Sequence, residues 1–448
     1  MFDKIDKLKF NPDKSLKDWF SVLISNGFRL VIGFAASVLI ARTLGPGNFG
    51  TYAILAGVIA VCTTFSDFGL SNAAVKYISH SLVSQSTRVK QFATVYCFSK
   101  MALASIFMLL GIFLSAKLAT WLLDNRELSF LMALCFLGLF TTALSNCMTT
   151  LLQAAQRFHV YSLIQLINPI IMLIVVFVLA WFDFLTVHTL LWLIIGIPVI
   201  VAIYSFTKVR FLFQSTQNES LRRSESRSKT LKELFGFSKW LFIAAIGAAL
   251  FSQIDIFLAR NWVGAEATGR YALGLSLAMK AAMLNGTLVT IYLPSVSQLK
   301  SVQDFKSFLR STLLKTIPAS VLILATFPFI DNMILLFYGD AFQSTASITR
   351  VLLIMIIVNL NVLPFALLAY PINRPYFLAL GEIGKVLLFL LFVWPFANRY
   401  GVLGLALSKL VAEVLIGIFY FILFFRLRKM QFNNFRNYSA SKSLRLKE

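Results

Sequence analysis

Eight basic residues stand inside long apolar stretches of this chain: Arg29, Lys100, Lys239, Lys280, Lys315, Arg350, Lys385 and Lys409. A cation at the centre of a membrane helix costs about 2.5–3.5 kcal/mol on insertion scales, so each position needs a reason. Lys239, Lys315 and Arg350 lie near the ends of their stretches, where a long side chain reaches interfacial water. Arg29, Lys100, Lys280, Lys385 and Lys409 lie deeper and are expected to face a water-filled cavity or a partner. Four acids share these stretches: Asp67, Asp255, Glu382 and Glu413. Lys409 and Glu413 are four apart, and Glu382 and Lys385 three apart, so each couple shares a helix face. They read equally as self-neutralising structural pairs or as functional groups. Asp255, Arg29, Lys100 and Lys280 have no partner at helical spacing. Bases outnumber acids, and a cationic cavity suits an anionic passenger; an exporter of cationic drugs would be expected to carry more acid than base. The candidate substrate contacts are therefore Arg29, Lys100 and Lys280, joined by Lys385 and Lys409 if their acids point elsewhere. Asp255, Glu382 and Glu413 are the candidate ion-coupling residues.

Other chemistries find no support. Cys62, Cys97, Cys135 and Cys147 all sit in apolar stretches without CxxC spacing and read as small buried hydrophobes. His80, His159 and His188 are scattered and make no ligand set. No Walker A, GxSxG or HExxH pattern occurs, so no catalytic residue, metal or cofactor is expected.

The elements that must position these charges are membrane helices. Hydrophobic residues make up 58% of the chain and charged residues 13%, with mean hydropathy +0.79. Soluble domains average about 45–50% apolar and about 25% charged. Twelve stretches have the ~20-residue length that crosses the hydrocarbon core: 19–40, 49–70, 92–114, 129–151, 161–182, 189–206, 237–259, 270–293, 311–330, 346–369, 376–396 and 401–425. Outside them, Lys and Arg fall on alternate loops, 27 on the side of the N-terminus and six on the other. Basic loops stay in the cytoplasm, so both termini are expected there. The net charge of +22 then reflects loops facing an anionic leaflet and calls for no nucleic acid. The first 18 residues mix four Asp with five Lys, and the apolar run that follows is too long for a cleaved signal peptide. The expected organisation is a cytoplasmic N-terminal segment (1–18), a six-helix bundle (19–206), a basic linker (207–236), a second six-helix bundle (237–425) and a basic tail (426–448). Trp19, Tyr52, Trp121, Trp240, Trp262 and Tyr271 stand near stretch ends and fit an interfacial aromatic belt.

The polar punctuation repeats. Ser15-Leu16-Lys17-Asp18-Trp19-Phe20 and Thr230-Leu231-Lys232-Glu233-Leu234-Phe235 share one pattern, and each reads as a capping box at a helix start. Ala41-Arg42 through Gly50, Tyr52 and Ala53 recurs, with one gap, as Ala259-Arg260 through Gly269, Tyr271 and Ala272. With six spans per half, the halves enter the membrane from one side and form a parallel repeat. Such repeats place their substrate site between the halves near mid-membrane.

The segment LIARTLGPGNFGTYAI, followed by SDFGLSNAAVKYIS, resembles the polysaccharide and O-antigen flippases of the multidrug/oligosaccharidyl-lipid/polysaccharide (MOP) exporter superfamily. The stretch GFSKWLFIAAIGAALFSQIDIFLARNWVGAEATGRYALG, with YLPSVSQL after it, is similar to the second half of the same family. The resemblance implies an all-α polytopic membrane protein with 12 transmembrane helices in two six-helix bundles arranged in the V shape of the MATE-like fold. It implies alternating access and translocation of polyprenyl-pyrophosphate-linked oligosaccharides, with membrane lipids and glycan polymerase or assembly proteins as partners. Coupling to H+ or Na+ follows by analogy with the superfamily. A drug antiporter of that superfamily stays open as an alternative. A major-facilitator carrier is disfavoured, because loop 71–91 lacks that group's Gly/Asp/Arg motif. A glycan polymerase is disfavoured, because every loop on the outer side is short.

Overall fold

The computed structural model describes residues 12–83, 88–213, 227–297, 302–367 and 376–445. All regular structure there is helical: α1 (Pro12–Asp67), α2 (Leu70–Val83), α3 (Val89–Leu123), α4 (Ser129–Ala154), α5 (Phe158–Trp181), α6 (Val187–Val209), α7 (Arg227–Val263), α8 (Ala265–Ser297), α9 (Val302–Ala325), α10 (Ile330–Tyr338), α11 (Thr345–Leu367), α12 (Tyr376–Tyr400) and α13 (Val402–Arg445). In hydrocarbon every backbone N–H and C=O needs an internal partner, and a helix supplies all of them within one segment. The twelve expected stretches fall on these helices in order. The first two share α1, the third to ninth occupy α3 to α9, and the last three occupy α11, α12 and α13. Hydropathy did not mark the short helices α2 and α10. Ten helical segments among the described residues are long and apolar enough to cross a bilayer; the first, Gly27–Asp67, contains the turn between the first two stretches, and α8 is not among the ten.

That turn is Gly45, whose φ of 66° and ψ of 173° are non-helical and kink α1 between its two helical parts. Glycine takes positive φ at little cost, and Pro46 fits the first position of the helix that restarts. At the other end of α1, Phe68 and Gly69 both have positive φ and redirect the chain into α2.

The chain divides into two compact units, Met1–Ala272 and Leu273–Glu448. The division falls inside α8; in the 207–236 segment, α7 begins at Arg227 and packs on α1, α2 and α3. Residues 214–226 of that segment lie outside the described residues. Within the first unit, α4 lies between α3 and α6, and α5 runs against α1. Its core gathers Leu70, Ile78, Phe92, Tyr96, Leu151, Leu152, Val201 and Leu234 from α2, α3, α4, α6 and α7. In the second unit α13 packs against α11 and α12, and α9 against α11. Large apolar side chains such as Phe98, Leu109, Phe113, Trp181, Leu391 and Trp394 are exposed, as lipid-facing residues are.

One expectation is corrected here. Thr230 does not cap α7, which starts three residues earlier at Arg227. Its hydroxyl accepts from Gln91 Nε2 at 2.9 Å, and Glu233 pairs with Arg88 at 3.0 Å. The motif ties α7 to α3 rather than closing a helix end. Tyr271 is fully buried within the protein, and its hydroxyl donates to Asp255.

The repeated segment around Gly50 and Gly269 has a packing role. The matching glycines meet where α8 crosses α1. A Cβ on Gly269 would lie 1.7 Å from the Pro46 carbonyl oxygen, and one on Gly50 2.8 Å from the Ala265 carbonyl oxygen. Membrane helices without a hydrophobic drive between them associate through such small residues, whose backbones can touch. Arg260, from the second copy, donates to Thr51 of the first at 3.0 Å.

Candidate functional site

A buried polar group of the first unit begins at Lys100, on α3 and only 2% exposed. Its ammonium donates to Asp67 Oδ1 at 2.7 Å, to Ser71 Oγ at 2.7 Å and to Tyr96 Oη at 3.3 Å. An ammonium has three protons, and here all three are used. Its acid comes from α1, 33 residues away, and so lies outside any search at helical spacing along α3. Asp67 is the last residue of α1, and the turn through Phe68 and Gly69 brings Ser71 back beside it. Ser71 completes the group by donating to Asp67 Oδ1 at 2.5 Å.

This group forms one wall of an open cleft of about 300 Å³. α1 contributes Thr63, Thr64 and Asp67; α4 contributes Asn146, Thr149, Thr150 and Gln153; α5 contributes Tyr161 and Gln165. With Ser71 and Lys100, every lining residue is polar. The cleft sits at the ends of α1 and α4 and the start of α5, the end of these spans that the charge distribution assigns to the cytoplasm.

Hydropathy averaging hides this stripe, but the spacing shows it. Asn146, Thr149, Thr150 and Gln153 follow the i, i+3, i+4, i+7 pattern that puts residues on one helix face. Tyr161 and Gln165 are four apart, and Thr63 and Asp67 likewise. Reading the apolar stretches for period-3.6 polar residues, rather than for charge alone, finds the cleft. Substituting Asp67 with Asn should destabilise the folded protein, because it leaves the Lys100 ammonium buried without a carboxylate. Breaking a buried pair costs about 3–5 kcal/mol, and the half-buried Asp67 places this loss near the low end. A thermal melt of the purified protein checks it, and an unshifted melt would contradict the pairing.

The second unit holds its own charged cluster. Lys385 on α12 lies 3.1 Å from Glu382 on the same helix and 3.3 Å from Glu413 on α13. Glu413 also accepts from Asn359 Nδ2 on α11 at 2.6 Å. The expected Glu382–Lys385 couple is present, and Lys385 further crosses to Glu413, a contact that spacing along one helix does not reveal. Lys409 is fully buried on α13, one turn from Glu413.

Arg29 is half-buried on α1. Lys280, half-buried on α8, contacts the Ser276 hydroxyl at 3.0 Å on its own helix. Asp255 is buried on α7 with Tyr271 as its donor. Of the three cations assigned to helix ends, Lys315 is exposed over the Tyr292 ring at 5.4 Å and Arg350 pairs with Asp331. The Lys239 side chain lies outside the described residues. No group of three metal-ligating side chains occurs among the described residues.

A polytopic all-helical chain with a polar cleft set into its spans is built as a membrane transporter, and solved structures share its fold. An inward-facing multidrug resistance MATE family transporter of the MOP superfamily aligns over 94% of this chain and 99% of its own, with TM-score 0.69 at 12% identity. A MOP superfamily transporter from Pyrococcus furiosus, described as having a binding pocket of reversed polarity that suggests a different function, aligns over 95% and 97%, with TM-score 0.61 at 12% identity. The chain belongs to the family described as "Polysaccharide biosynthesis protein", which matches residues 39–347. Among curated relatives, the "Putative O-antigen transporter" of Shigella flexneri is 23% identical over 425 residues, covering 88% of this chain and 95% of that one.

Proposed function

We propose that this protein is a flippase. It carries an oligosaccharide, linked through pyrophosphate to a polyprenyl lipid, across a bacterial or archaeal plasma membrane for surface polysaccharide synthesis. Both termini are cytoplasmic, and the two halves alternate access to the two sides. Family membership and the relative named as an O-antigen transporter support the glycan. The observation that carries the reading is the cleft lined wholly by polar residues. Drug-sized ligands are held by pockets that are mostly hydrophobic and aromatic with few polar groups. A cleft of Thr, Asn, Gln, Ser and a buried ion pair suits a hydroxylated passenger and disfavours the drug-antiporter reading. The reversed pocket polarity described for the Pyrococcus protein accords with pockets of one fold serving different cargo.

With Lys100 committed to Asp67, Arg29 and Lys280 are the cations left to hold the anionic head, by charge-assisted hydrogen bonds. Asp255 and the Glu382–Lys385–Glu413 cluster are the groups to couple transport to H+ or Na+. Deleting the gene should abolish the surface glycan and accumulate its lipid-linked precursor on the cytoplasmic side. In the complemented strain, Arg29→Gln or Lys280→Gln at unchanged protein level should cut export several-fold, read as surface glycan per cell. Normal surface glycan in the deletion strain would refute the flippase reading; full export by both variants would refute only the assignment of the head group.

A further inference from the structure

We infer that the first-unit cleft binds an uncharged, polyhydroxylated sugar unit of the passenger, and not its pyrophosphate. This deepens the flippase reading and rests on it.

The argument is the direction of the hydrogen bonds. A phosphate oxygen needs donors and positive charge; it has no proton to give. Thr63, Thr64, Thr149 and Thr150 each donate their hydroxyl proton to a backbone carbonyl four residues earlier, at 2.6, 3.0, 3.1 and 2.7 Å. What these threonines turn toward a ligand is lone pairs, which repel phosphate and accept from a sugar hydroxyl. The ion pair acts in the same direction. Every proton of Lys100 is taken up within the protein, while the Asp67 carboxylate, partly exposed to the cleft, keeps acceptor capacity. Three amides, Asn146, Gln153 and Gln165, add donors and acceptors together, the pattern that matches a hydroxyl able to do both. Tyr161 supplies a ring at the same mouth. A cleft rich in acceptors, neutral in net charge and about 300 Å³ in volume thus fits a hexose-sized unit. It follows that head and sugar are recognised at different places, and that the cleft reads which glycan is carried.

The test uses the full-length protein in lipid nanodiscs. The probes are the repeat-unit oligosaccharide released by mild acid from the host's lipid-linked glycan, and inorganic pyrophosphate. The oligosaccharide should bind, with affinity weakened about tenfold or more in Asn146→Leu and Gln165→Leu, each expected to remove a hydrogen bond to the ligand. Asn146 is exposed and Gln165 half-buried, and size-exclusion profiles check that the variants fold. Millimolar pyrophosphate should leave the oligosaccharide in place. Displacement by pyrophosphate, no binding at 10 mM oligosaccharide, or wild-type affinity in both variants would overturn the inference. None of these outcomes touches the flippase reading, which stands or falls on the deletion strain. A strain that exports normally, combined with tight oligosaccharide binding, would refute the flippase reading alone.

Discussion

Gly269→Ala is expected to eliminate most of the folded protein, the largest effect of any single methyl group in the first unit. The added Cβ would sit 1.7 Å from the Pro46 carbonyl oxygen, far inside van der Waals contact. Overpacking costs about 1–3 kcal/mol where side chains can move aside. Here the opposing atom is backbone, just past the Gly45 turn, and cannot rotate away. Gly50 offers no relief, because its own Cβ position is 2.8 Å from the Gly269 nitrogen. Gly47→Ala is the matched control, since nothing lies within 4 Å of a Cβ there. The readout is the monodisperse peak of a fluorescent fusion on size exclusion. A wild-type peak for Gly269→Ala would show that the helices do not cross at this distance.

Lys385→Met should also lower stability strongly. It leaves the buried Glu413 and the partly exposed Glu382 with their shared cation removed. Removing one partner of a buried ion pair costs about 3–5 kcal/mol, and the buried Glu413 loses the ammonium that stands 3.3 Å away. The double variant Lys385→Met with Glu413→Gln should recover much of that loss, since it removes the stranded charge and Asn359 can still bond the new amide. Thermal melts of the four proteins form the cycle. Equal melting temperatures for wild type and Lys385→Met would exclude the bridging role. If the cluster couples transport to an ion, the double variant, though stable, should still fail to export.

The membrane character, the order of the spans and the family were legible in the residues, because hydropathy is a local property that adds along the chain. A run of about 20 apolar residues has few choices other than a membrane helix, whatever surrounds it. The same locality let the glycine-rich repeat be seen at both places. It also let the Glu382–Lys385 couple be found, since three residues on one helix are neighbours in any fold. What the chain could not give by itself was partnership across helices. Lys100 and Asp67 are 33 residues apart and meet only because Phe68 and Gly69 turn the chain back after α1. Glu413 finds Lys385 only because α12 and α13 pack side by side. Thr230 reads as a helix cap in sequence and becomes a tether to α3 once α7 starts three residues earlier. The sign of an intramembrane charge is written in the sequence, but whether that charge is free for a ligand depends on which helix stands opposite. Which helix stands opposite depends on packing between helices, to which close backbone contacts such as Gly50 with Gly269 contribute.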